Sequence, residues 1–208
     1  MIYDLSTERV KSFKINVNPK GEEFYQAYKL KGDVPDFIKI CLDGDTMKEY
    51  KLSKGIVASQ IFDEFEEQRG TSLFHHSANS CNIDCFLSVA YTLCPDIVEV
   101  NGYIFISDLF DAEGDEAFEE IRRLEKQFNC DKTKIEQWVN SRSLGEFFIG
   151  CYSKSMDNDK IIDEFAKVLV YFWSRRAMEL FPNRNIIVKT GNEIMGELGL
   201  TITMYEQL

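Results

Sequence analysis

Asp159–Tyr205, DKIIDEFAKVLVYFWSRRAMELFPNRNIIVKTGNEIMGELGLTITMY, sets two periodicities side by side. As far as Phe181 the apolar residues recur at helical spacing, and Pro182 closes the segment because proline cannot continue a helix. Beyond it, NIIVKT and LGLTITMY are rich in β-branched residues and are linked through Gly191 and Gly196, so they read as two strands of a hairpin. A long helix followed directly by a hairpin points to an α+β fold rather than to alternating β-α-β units. The helix is also the most apolar in the chain. Asp163, Glu164, Lys167, Arg175 and Arg176 interrupt it, so no membrane span is expected.

Working outward, the spacing predicts further helices over Glu116–Phe128, Lys132–Asn140 and Leu144–Tyr152, and EVNGYIFIS reads as a strand. Ile61, Phe62 and Phe65 suit one side of a helix that begins near Ile56 and stops at Gly70. A second helix, opened by Cys81 and ended by Pro95, takes its cap from Asn79 or Ser80. From Cys85 to Leu93 it is apolar everywhere except Ser88 and Thr92, which places it in a core with Cys85, Leu87 or Val89, and Tyr91 facing inward. The first 55 residues alternate as half-buried strands do, in VKSFKINV, FYQAYKLKG, DFIKICLDG and MKEYKLSKG; Asp43-Gly44-Asp45 is the turn of the last pair. Glu22–Lys31 also fits a short helix. The expected fold is therefore α+β: an N-terminal antiparallel β-rich part, central and C-terminal helices and a C-terminal β-hairpin. One domain over 1–208 is the expected organisation; the alternative is a β-rich lobe over 1–55 and a mainly helical lobe over 56–208.

With 208 residues, 44% of them hydrophobic, the chain can bury a sizeable core, and sixteen Phe with nine Tyr make that core aromatic. The first dozen residues mix charges and hold no apolar run of signal length, so a cytoplasmic location is expected. Six cysteines fit a reducing compartment, where most are small buried hydrophobes.

SLFHHSANSCNIDCFLSVAY, Ser72–Tyr91, contains both histidines and two of the cysteines. Its ANSCNIDCFLSVAY portion resembles the nucleophile helix of papain-like cysteine peptidases, closest to the ubiquitin-specific branch. The resemblance covers about a dozen residues and implies Cys81 as nucleophile and Asn79 as oxyanion donor. A thiol at a helix N-terminus is favoured as thiolate. That family draws its general base from a His downstream of the Cys, and no His follows His76. A cysteine-dependent hydrolase built on Cys81, Asn79 and His76 is therefore the alternative reading. His75 or His76 with Cys81 and Cys85 also has the atom types of a zinc site, but lacks the two separated knuckles such sites use; no metal or cofactor is expected. Pro35-Asp36 with Glu49-Tyr50-Lys51 resembles the PD…ExK pattern of metal-dependent nucleases in two short tokens, and a solvated strand edge with alternating charge is the preferred reading of them. No glycine-rich phosphate loop is present.

The charge is the most informative feature. The net −11 is confined to one segment: residues 56–120 hold fourteen acids and one base, Arg69, whereas the flanking segments are each +1. The acids cluster at Asp63, Glu64, Glu66 and Glu67, and at Asp108, Asp111, Glu113, Asp115, Glu116, Glu119 and Glu120. Such a field disfavours nucleic acid and favours a basic protein. The expected function is a non-enzymatic binding protein that neutralises a basic partner, in the manner of immunity proteins or antitoxins that cap a nuclease-like toxin. Both acidic stretches are expected to share one negative face.

Overall fold

The computed structural model describes residues 12–17, 23–28, 37–41, 47–151 and 153–208, with side chains from Leu52 onward. Two antiparallel hairpins come first: β1 (Ser12–Val17) with β2 (Glu23–Tyr28), and β3 (Phe37–Cys41) with β4 (Met47–Lys51). Glu23–Tyr28 is thus strand rather than helix; the Asp43–Asp45 turn and Pro35–Asp36 lie outside the described residues. Then follow a 3-10 turn (Ser59–Glu64), α1 (Leu73–Ser80), α2 (Ile83–Leu93), β5 (Ile97–Val100), β6 (Tyr103–Ile106), α3 (Gly114–Phe128), α4 (Lys132–Asn140), the short β7 (Arg142–Ser143), α5 (Asp159–Leu180), β8 (Ile186–Asn192) and β9 (Leu200–Glu206). Sheets are antiparallel throughout, and β9 lies between β7 and β8. The class is α+β, with the C-terminal hairpin in place.

β6 organises the core because all four of its residues are buried. Side chains alternate across a strand. Ile104 and Ile106 enter one cluster with Leu169, Trp173 and Ala177 of α5 and Ile202 and Met204 of β9. Tyr103 and Phe105 enter the other, with Ala117, Ile121 and Leu124 of α3 and Ile135 of α4. The spacing of Ala117, Ile121 and Leu124 is one face of a helix, and the same spacing in α5 supplies the opposite wall. EVNGYIFIS is not one strand but the β5–β6 hairpin. Asn101 and Gly102 both have positive φ (51° and 81°), the backbone that a two-residue turn matched to strand twist requires.

Two polar residues one turn apart on α4 join β6 to β9. Glu136 accepts from Ile104 N–H (3.0 Å) through one carboxylate oxygen and from Glu206 N–H through the other. Asn140 accepts from Ile106 N–H (2.9 Å) and donates to the carbonyls of Ile104 (2.8 Å) and Met204 (2.9 Å). Both side chains are fully buried. β6 and β9 therefore share these backbone groups through side chains rather than through a strand ladder, so the groups stay satisfied inside the core.

A charged cluster closes the same end. Arg184 reaches Glu99 (2.9 Å), the Gly102 carbonyl (2.7 Å) and Glu206 (2.7 Å), and Lys132 also pairs with Glu206. The Arg184 and Lys132 cations pull the Glu206 carboxyl down to about 2. Burial acts the other way on Glu136 and raises it. The two signs differ. Glu206 contributes stability that is fully present above its ordinary value of 4.5 and is lost as pH falls through about 2. Glu136 contributes most in acid and less as pH rises. Through Glu206 alone, unfolding free energy is expected to drop by on the order of 2–3 kcal/mol between about pH 5 and 2, with Glu136 offsetting part of that loss. Arg184→Met should flatten that limb in urea titrations across pH; an unchanged acid limb would remove Glu206 from this role.

Three local expectations are corrected. Gly145 and Gly150 punctuate Leu144–Tyr152, where only a 3-10 turn forms (Leu144–Phe148). Acid-rich Ile56–Gly70 likewise reaches only the 3-10 turn, with Phe65 extended at its end. The third concerns α2: Asn82, not Asn79 or Ser80, caps it through Cys85 N–H (2.8 Å), and none of its residues is buried.

Candidate functional site

The site begins where β6 turns back. Phe110 is buried and stacks on Phe105 (4.6 Å between ring centres), which pins the loop and leaves Asp108 and Asp111 on either side of the pin. Asp108 accepts from the Tyr91 hydroxyl (2.6 Å), and that bond raises the Tyr91 pKa. α3 then starts, with its apolar stripe turned to the core. Glu116, Glu119 and Glu120, at i, i+3 and i+4, occupy the other side.

These residues border a cleft of 790 Å³, which Glu197 and Trp138 of α4 also line. Arg123 and Arg142 line it too, but each is engaged. Arg123 pairs with Glu120 through Nε (2.8 Å) and holds that carboxyl below its ordinary value, and Arg142 pairs with Glu146 (2.7 Å). Asp111, Glu116, Glu119 and Glu197 have no cationic partner among the described residues. Trp138 is 45% exposed and can present a ring face to a cation. Glu113 and Asp115 sit at the N-terminus of α3, where the helix dipole favours negative charge, and are not among the residues that line the cleft.

The other acidic stretch is elsewhere. Glu64 pairs with Lys160 (2.5 Å) and accepts from Asn158 (3.4 Å), Glu66 pairs with Lys154 (2.8 Å), and Glu67 pairs with Arg69 (2.9 Å). Lys160 lowers the Glu64 pKa, and Arg69 lowers that of Glu67. Only Asp63 of this group has no cationic partner among the described residues. The turn that carries Asp63 and Glu64 is tied to the second turn of α5 through Ala58 N–H, which donates to Glu164 (2.6 Å). α5 packs on one side of β6 and α3 on the other. The structure thus separates the two stretches and offsets the first with Lys154 and Lys160 from residues 121–208 and with the local Arg69, against the expected single face.

The cysteine box is built differently from the sequence expectation. Ser72 caps α1, and Gly70, at φ 94°, lies so close that a Cβ there would meet His75 Cβ at 2.5 Å. Cys81 is an exposed residue at the break between α1 and α2, and the cysteine in the first turn of α2 is Cys85. His76 packs edge-on to Phe65 (5.0 Å) and Phe62 (5.9 Å), and its Nδ1 accepts from Arg69 N–H (3.2 Å). The Asn79 amide donates to the His75 carbonyl (2.8 Å), and His75 itself contacts Thr71 Oγ1 (2.8 Å). Among the described residues no hydrogen bond joins Cys81 to a histidine, and no three His, Cys, Asp or Glu converge as metal ligands.

Trp138, Glu197 and Arg142 were not legible as cleft residues. Glu197 arrives from a loop about eighty residues beyond the acidic run, and an exposed Trp on a short helix resembles any partly buried aromatic. Among the described residues no helix is long and apolar enough to cross a membrane. No protein-family model, curated protein or solved structure matches the chain.

Proposed function

We propose that the chain is a non-enzymatic binding protein that neutralises a basic protein partner through the cleft between the Ser107–Ala112 loop, α3 and Trp138, in the manner of an immunity protein or antitoxin that caps a nuclease-like toxin. The observation that carries this reading is the set of carboxylates at Asp111, Glu116, Glu119 and Glu197, which have no cation among the described residues and border a space large enough for inserted Lys or Arg side chains. The wall supplied by Trp138 suits a guanidinium. A reducing cytoplasm fits the five described cysteines, all free thiols. The stretch Glu64–Glu67 contributes less to attraction at a distance, because its charges are offset nearby. The hydrolase alternative lacks a positioned base.

Deca-arginine is a direct probe. The triple reversal Asp111→Lys, Glu116→Lys and Glu119→Lys should weaken its binding by about tenfold or more, and raising NaCl from about 20 to 200 mM should do the same to the native chain. Reversal of Glu64, Glu66 and Glu67 should change affinity by less than about threefold. Equal losses from the two triples, or binding indifferent to salt, would overturn the assignment of the cleft.

A further inference from the structure

α2 is apolar on nearly every side and has little over it. Ile83, Leu87, Val89 and Phe86 are 73%, 65%, 55% and 50% exposed, and Phe74 of α1 is 81% exposed. The helix is anchored at its far end, where the Thr92 carbonyl accepts from Trp173 Nε1–H (3.0 Å). A helix of this composition belongs under a cover.

We propose that the cover is the N-terminal pair of hairpins of the same chain, residues 12–51. The tether points there. Only residues 52–58 separate the end of β4 from the 3-10 turn, and Phe62 of that turn, with Phe65 after it, packs on His76 of α1. Seven residues span at most about 24 Å, so the hairpins stay close to α1, at an effective concentration on the order of millimolar.

Sequence and register supply the matching surface. Phe13, Ile15 and Val17 alternate along β1, and the register sets Phe13 opposite Ala27 and Ile15 opposite Tyr25; β3 and β4 set Ile38 opposite Tyr50. Two-stranded hairpins are marginal in water and need a surface to pack on. Charge then separates this occupant from a second copy of the chain. Two copies meeting at α2 would bring together two segments that each hold fourteen acids and one base, whereas residues 1–55 hold nine acids and ten bases. The inference stands whichever partner the acidic cleft takes.

Thiol labelling of the full chain tests it, read by mass spectrometry with iodoacetamide at about 1 µM protein. Cys85 lies in α2, while Cys130 and Cys151, exposed on other segments, serve as internal references. Under the cover, Cys85 labels about tenfold more slowly than both references, and Ile15→Asp with Ile38→Asp abolishes the difference while Cys130 is unchanged. Equal rates in the native chain overturn the proposal, as does slow labelling that survives the double substitution. Protection that grows between about 1 and 100 µM assigns the face to a second copy, and protection that appears only with deca-arginine assigns it to a basic partner; either result also overturns the proposal.

Discussion

Asn140→Leu is expected to lower the unfolding free energy by about 3–5 kcal/mol, a large part of the 5–15 kcal/mol that holds a typical domain together. The substitution keeps the branching and the number of heavy atoms, adds some volume, and removes every polar atom. Ile106 N–H and the carbonyls of Ile104 and Met204 are then left in the core with no partner, at about 1–3 kcal/mol each. Asn140→Asp separates shape from hydrogen bonding. It retains the acceptor for Ile106 N–H but turns a second oxygen toward two carbonyls, so at neutral pH it should cost at least as much. Glu136→Gln is milder, about 1–2 kcal/mol, because one of its two acceptors survives. Urea denaturation followed by circular dichroism orders the three variants. A loss under about 1 kcal/mol in Asn140→Leu would mean that the strands meet without this side chain.

Trp173→Ala should cost about 3–5 kcal/mol through the cavity it leaves. Trp173 is 3% exposed and packs near Phe147 in the cluster that β6, α5 and β9 share. It is also the anchor of α2 through the Thr92 carbonyl. Trp173→Phe keeps most of the packing and drops the hydrogen bond, and should cost about 1 kcal/mol or a little more. The two effects can be told apart by hydrogen exchange. In Trp173→Phe, amides of 83–93 should exchange faster while those of α3 stay as they were. If both segments accelerate together, the indole acts only by filling space.

α3, α4, α5 and the β8–β9 hairpin were legible because each carries a periodicity of its own, sharpened by Pro182 after α5 and by Gly191 and Gly196 around the turn between the strands. The β5–β6 turn was equally legible in Asn101-Gly102 but was read through, since flanking apolar residues masked a change of direction. Glu136 and Asn140 could not be found from sequence. Lys132–Asn140 is mostly polar, and nothing local distinguishes a polar residue that bridges two strands from one that faces water. The acidic cleft was half legible. Charge density marked Asp108–Glu120, but whether an acid has a cation beside it depends on contacts such as Glu64 with Lys160, 96 residues apart. For α2 the composition marks a helix that needs cover, but it does not name what meets that need.

The Glu136–Asn140 bridge also sets how much of α4 can run in register with both strands. Four residues of helix advance about 6.0 Å, and two residues of strand advance about 6.7 Å. One such step nearly matches, so Glu136 and Asn140 meet Ile104 and Ile106 on one strand and Glu206 and Met204 on the other. A second step would fall about 1.4 Å out of phase, too far for another short side chain to keep both strands in hydrogen-bond range. Helix and strand are commensurate for a single repeat, like two rulers with slightly different divisions. α4 ends at Asn140, and the residues after it leave the helix and join β9 as β7.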